Sequence, residues 1–129
     1  MSFLNDCQMV FKVEGWQGVG FHFRSRLWRW RYNLAKALAA NPVKSIYGFR
    51  FEENYKDTTF KYYITGKYGS FYWSRLKGIR YPFVFLDIGA NQGLYTLAAS
   101  SNEQLEHAYA FEPAPSTASL LRKNIYLNG

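Results

Sequence analysis

Cysteine, long apolar runs and, over the first eighty residues, acidic side chains are what this chain has least of, and each shortage closes off a class of protein. Cys7 is the lone cysteine, so neither a disulfide framework nor a thiolate metal centre can form within one chain, and no metal site is expected. No hydrophobic stretch reaches the ~20 residues that a membrane-spanning helix needs. The first residues also lack the basic, apolar and small-residue order of a secretion signal, so the expected location is cytoplasmic. Acids are scarce where bases are dense: residues 1–80 hold 14 Lys/Arg against 5 Asp/Glu, while residues 81–129 hold 2 against 4. The net charge of +7 therefore belongs to the leading segment. Such an imbalance implies a solvated basic face first, and an anionic partner such as nucleic acid or a membrane surface second.

What remains is enough for a globular core: 129 residues, 48% hydrophobic and 19% charged. The aromatic share is 20%, most of it before residue 85. Gln8 to Val13 reads as a short strand, followed by glycines at 15, 18 and 20. Their G-x-x-G-x-G order is not that of a dinucleotide loop, and a plain loop is expected. From Phe23 to Ala40 the periodicity is helical. At 100° per residue, Phe23, Leu27, Trp30, Leu34, Ala37 and Leu38 fall on one face, with Arg24 and Arg31 along one border and Arg26 along the other. A packing helix is the first expectation, contact with a membrane surface or partner the second, and Asn41-Pro42 stops it.

Ser45 to Glu52 and Thr58 to Thr65 alternate as strands do, with Phe60, Tyr62 and Ile64 on one side. Gly66-Lys67 fits a two-residue turn into Tyr68 to Trp73, which predicts a β-hairpin. Its tyrosines and lysines have the chemistry to stack on bases, but no RNA-binding spacing accompanies them, and nucleic acid is not an expected partner.

The segment that points to chemistry starts at Phe83. Phe83 to Leu86 is a continuous apolar run, the mark of a strand covered on both faces. Asp87 stands at its C-terminal end, where open α/β sheets place ligands. Gly89 permits a sharp turn, Asn91 tolerates left-handed backbone, and Gly93 lets a helix beginning at Leu94 approach the strand. Ala108 to Phe111 reads as the next strand and ends in Glu112, whose two carboxylate oxygens suit adjacent hydroxyl donors. Pro115 or Ser116 opens a second helix that closes at Asn128-Gly129. The order is strand, helix, strand, helix, with a right-handed crossover. Phe111 is expected to pack in the sheet, and His107 to be a surface or edge residue rather than a base. Tyr95 is left between the substrate side and the core.

At Asp87-Ile-Gly-Ala-Asn-Gln-Gly93 with Tyr95-Thr96, at Phe111-Glu-Pro-Ala-Pro115 and at Asn124-Ile-Tyr-Leu-Asn-Gly129, the chain resembles the FkbM-type family of class I S-adenosylmethionine-dependent methyltransferases. The resemblance covers residues 83–129, little more than a third of the chain. It implies an α/β fold, here an incomplete Rossmann-like core in residues 81–129, preceded by a basic and aromatic accessory segment, residues 1–80, with its helix and β-hairpin. It also implies cofactor roles. Asp87 would hold the amino end of the methionine moiety of S-adenosylmethionine. The backbone of Gly89, Ala90, Asn91 and Gly93 would pass beneath it, and Glu112 would accept from the ribose hydroxyls. No catalytic residue is assigned.

Family members place the acceptor site and any base largely on later strands, so the expectation is an N-terminal fragment, inactive alone, whose sheet a missing C-terminal half or a partner chain completes. The implied acceptor is a sugar or another small molecule methylated on oxygen. Two alternatives stand beside this reading: a nonenzymatic binding or assembly module using residues 1–80, and a nicotinamide-dependent oxidoreductase. The latter ranks last because Asn91 takes the place of the glycine that would admit a pyrophosphate.

Overall fold

A computed structural model describes residue 20 and residues 23–129; the expected strand Gln8 to Val13 and residues 15–19 of the expected glycine loop lie outside the described residues, and Gly20, the last glycine of that loop, is helical. The architecture is mixed α/β. Helix α1 covers residues 23–37. It is followed by β1 (Val43–Lys44), β2 (Arg50–Phe51), α2 (Thr58–Thr65), α3 (Ser70–Gly78), β3 (Phe83–Ile88), α4 (Leu94–Ser100), β4 (Leu105–Phe111) and α5 (Pro115–Asn128). Among the described residues there are two small sheets, an antiparallel β1–β2 pair and a parallel β3–β4 pair.

The expected β-hairpin is absent: Thr58–Thr65 and Ser70–Gly78 are helices. Asp57 accepts the Thr59 N–H at 2.6 Å as the N-cap of α2. Gly66, at φ 73°, closes α2 in left-handed geometry with its N–H on the Tyr62 carbonyl. The glycine expected to turn a hairpin is thus a helix C-cap. Phe60, Tyr63 and Ile64 are the buried apolar residues of α2, a helical spacing in which Tyr63 replaces the Tyr62 of the alternating pattern. Ser45 to Glu52 is likewise not one strand. Residues 45–49 form the turn between β1 and β2, closed by Ser45 N–H on the Phe49 carbonyl at 2.7 Å, and only Arg50–Phe51 pairs.

Helix α1 forms where its periodicity placed it but turns the other way. Leu27, Trp30, Leu34 and Leu38 are exposed, as is Phe23, while Tyr32 is buried and Trp28 and Ala35 pack against the core. The expected packing face therefore looks outward. Tyr32 anchors the inner face among aromatic rings, 5.8 Å from Tyr55 and 6.2 Å from Phe60 between centroids.

The main core gathers Tyr32, Val43, Ile46, Tyr47, Phe51, Phe60, Tyr63 and Ile64 with Leu94 and Leu97 of α4. A second cluster of Leu76, Ala98 and Ala99 lies against Phe83, Phe85 and Leu105. The second cluster covers one face of the parallel sheet, and α4 joins it to the main core. The other face, carrying Val84, Leu86, Ile88, Tyr109 and Phe111, is exposed. So β3 is covered on one side rather than two, and Phe111 stands outside the packing expected for it.

Candidate functional site

The parallel register sets Asp87 beside Ala110 and Ile88 beside Phe111, so Asp87 and Glu112 end neighbouring strands on the same edge. Between them runs the turn from Gly89 to Gly93. Gly89, Asn91 and Gly93 have φ of 78°, 50° and 93°, a left-handed succession that glycine and asparagine adopt at least cost. Gly89 and Ala90 both direct their N–H groups to the Phe111 carbonyl, at 2.9 and 3.0 Å, which draws the turn over the tip of β4. The space around Gly89 is open, whereas a Cβ on Gly93 would lie 2.6 Å from Leu121. The first glycine thus borders free volume, and the second seats α5 against the turn.

Glu112 holds this geometry from the far side. One carboxylate oxygen accepts the Asn91 N–H at 2.9 Å and the other the Ala114 N–H, also at 2.9 Å. Each oxygen keeps a second lone pair, so the group can bind both loops and still receive donors from a ligand. Asp87 is buried and takes the Thr96 hydroxyl on one oxygen. It also lines an open cavity of about 900 Å³ bounded by Tyr72, Arg75, Tyr81, Ile88 and Tyr95. The cavity offers a cationic group the Asp87 carboxylate; the Gly89–Gly93 turn and Glu112 do not line it, and Glu112 stands at the neighbouring strand tip with lone pairs open to hydroxyl donors. Tyr95, half-buried, lies on the cavity wall with its ring 5.3 Å from that of Tyr72. Burial raises its phenol well above the ordinary range, helped by its hydrogen bond with Tyr68, so at neutral pH it is a neutral surface and not a phenolate base. His107 is exposed and sits four residues before the tip of β4. Among the described residues no group of three or more His, Cys, Asp or Glu side chains is placed to hold a metal ion.

Several polar residues support the turn in roles that the sequence did not assign them. Gln92 is fully buried, and its amide nitrogen donates to Asp57 at 2.9 Å. One Asp57 carboxylate therefore caps α2 and holds the turn. Asn124, also fully buried, accepts the Glu52 N–H at 2.7 Å and donates to the Gln92 carbonyl at 2.8 Å. One helical turn on, Asn128 accepts the Arg50 N–H at 2.9 Å and donates to the Arg50 carbonyl at 2.7 Å. Two asparagines four apart on α5 thus pair with the free edge of β2 as a strand would. The spacing Asn124–Asn128 was legible as one helix face; its partners, 72 and 78 residues away, were not. Asn91 Oδ1 and Gln92 Oε1 are buried without a hydrogen-bond partner.

No family model, curated protein or solved structure matches the chain. Its functional reading therefore rests on the residues and their geometry.

Proposed function

We propose that residues 83–129 form the cofactor-binding part of an S-adenosylmethionine-dependent methyltransferase of the FkbM type, with a Rossmann-like arrangement of strands. The observation that carries this reading is the Glu112 carboxylate accepting the Asn91 N–H across 21 residues at 2.9 Å. It joins the acid at one strand tip to the glycine turn at the other. The carboxylate of Asp87 at the cavity wall suits the ammonium of such a cofactor, and Glu112 at the next strand tip suits its ribose hydroxyls.

When bound, the cofactor supplies an electrophilic methyl group on a sulfonium. The part of this chain is to bind and orient. Asp87 receives the ammonium, prepositioned by the Thr96 hydroxyl. Glu112 accepts the ribose hydroxyls with the lone pairs its two backbone donors leave unused. Transfer to oxygen then requires in-line placement of the acceptor, and holding the reactants in register supplies much of the rate. The acceptor class is a hydroxyl of a sugar or another small molecule, and no side chain is assigned as base.

Calorimetric titration with S-adenosylhomocysteine tests the reading. Glu112→Gln is the informative variant: it leaves an acceptor for only one of the two backbone N–H groups and removes the charge, so affinity should fall about tenfold or more, the scale of one charge-assisted hydrogen bond, with circular dichroism reporting that the variant is folded. Asp87→Asn should weaken binding similarly. A folded chain that takes up no S-adenosylhomocysteine would refute the proposal.

A further inference from the structure

The outward face of α1 is unexplained by the cofactor site. Leu27, Trp30, Leu34 and Leu38 are 57%, 63%, 45% and 70% exposed, and they form one stripe along the helix axis. On the opposite side, Trp28, Tyr32 and Ala35 bind the helix to the core. The stripe therefore cannot rotate inward without uncovering the aromatic anchor. Residues 23–40 contain five basic side chains and no acid. Arg24 and Arg31 border the stripe on one side and Arg26 on the other, and all three are exposed. Arg31 is also 4.7 Å above the Trp28 ring, which places a fixed charge at the stripe's edge.

From this arrangement we infer that α1 lies flat on an anionic lipid surface, with the leucines and Trp30 in the headgroup–acyl boundary and the arginines on lipid phosphates. Three features select this occupant. An apolar stripe bordered by arginines matches the layered polarity of a bilayer surface, since arginine stems lie along hydrocarbon while their heads reach phosphate. Trp30 adds an amphipathic ring suited to that boundary. A second copy of the chain would bring two such basic helices together and pay repulsion along the whole contact. A nucleic acid backbone would satisfy the arginines but leave four large apolar side chains in water. No helix among the described residues is long and apolar enough to cross a membrane, so the contact is with the surface. This inference stands independently of the methyltransferase reading.

Flotation of the full chain with vesicles tests it, using phosphatidylcholine alone and phosphatidylcholine containing about one third phosphatidylglycerol. The chain should float with the anionic vesicles and stay behind with the neutral ones. Leu34→Glu should reduce flotation at least about tenfold, because it puts a charge where apolar burial is needed. Arg24→Gln, an exposed change at the stripe's border, should reduce it about fivefold. Circular dichroism checks that each variant is folded, and should Leu34→Glu fail that check, Arg24→Gln decides the matter. The inference is overturned by a folded chain that ignores anionic vesicles, by equal binding to both vesicle types, or by binding that survives the variants. It is equally overturned by a stripe-dependent dimer that leaves vesicles untouched.

Discussion

Helices α1 and α4 lean on the same core and treat their apolar residues in opposite ways. In α4, Leu94, Thr96, Leu97, Ala98 and Ala99 are all buried, wedged between the parallel sheet and the aromatic cluster. In α1 the leucines face out and the residues packed inward are Trp28, Tyr32 and Ala35. Hydrophobic periodicity describes which residues share a face, not which face the protein covers. What decides for α1 is the ring set around Tyr32, with Tyr55 and Phe60 meeting edge to face at 5.6 Å. Tyr55 also donates its hydroxyl to the Ala40 carbonyl at 2.7 Å. A helix pinned at both its rings and its exit has no freedom to turn its leucines inward.

The sharpest way to break this comparison is to shorten one leucine in each helix. Leu97→Ala should cost about 2–5 kcal/mol, since it leaves a cavity beneath buried neighbours. Leu34→Ala should stay within about 0.5 kcal/mol, as for an exposed site. Urea unfolding of the two variants beside the parent chain measures both. Equal losses would mean that the stripe of α1 is covered in solution after all.

A second contrast lies between the two ends of the turn, Gln92 closed in by polar clamps and Gly89 bordering open space. Asn124→Leu strikes the closed end. It strips partners from the Glu52 N–H and the Gln92 carbonyl, and an unpaired buried group costs about 1–3 kcal/mol. A loss of about 2–4 kcal/mol in thermal or urea unfolding is expected for the pair. Asn128→Ala, on the same face but less buried, should cost about 1 kcal/mol. A neutral Asn124→Leu would show that these bonds are made to water as readily as to protein.

From Phe83 onward the sequence was readable almost element by element, because its signals are local. An apolar run ends at Asp87, glycines fall where φ turns positive, Pro115 opens α5 and Gly129 closes it. The segment around Thr58–Thr65 was misread for a specific reason. Phe60 and Ile64 are four apart, a spacing that satisfies strand alternation and helical periodicity alike. Only Tyr63 against Tyr62, together with the caps Asp57 and Gly66, separates the two. For Tyr68 to Trp73 the expected turn at Gly66-Lys67 suggested a second hairpin strand, yet Phe71 and Tyr72 are exposed on the helix Ser70–Gly78, whose one buried residue is Leu76. The orientation of α1 and the partners of Gln92, Asn124 and Asn128 depend on contacts between distant segments, which no local pattern records. The candidate cofactor residues themselves do converge: Asp87, the Gly89–Gly93 turn and Glu112 share one sheet edge.

The clamped side also carries a weaker, pH-dependent link, and it sets the scale for the rest. Lys123 reaches Glu52 at 3.0 Å, next to the buried Asn124 that holds the backbone of the same residue. The hydrogen bond from Lys123 is the main reason that the Glu52 carboxyl titrates below its ordinary value; burial opposes the shift, and Asn41 adds to it. A carboxyl lowered in the folded state stabilises the fold at pH above the unfolded value, about 4.3, and loses that contribution as the pH falls through the folded value. Both side chains reach solvent, at 55% and 25% exposure, so the pair should be worth less than about 1 kcal/mol and weaken with salt. Lys123→Met should therefore lower stability slightly at pH 7 and hardly at all in acid below the folded value, as read from urea midpoints across that range. A difference that persists undiminished in acid would assign the Lys123 effect to packing of its stem on α5 and β2, and leave the asparagine pair as the polar tie between them among the described residues.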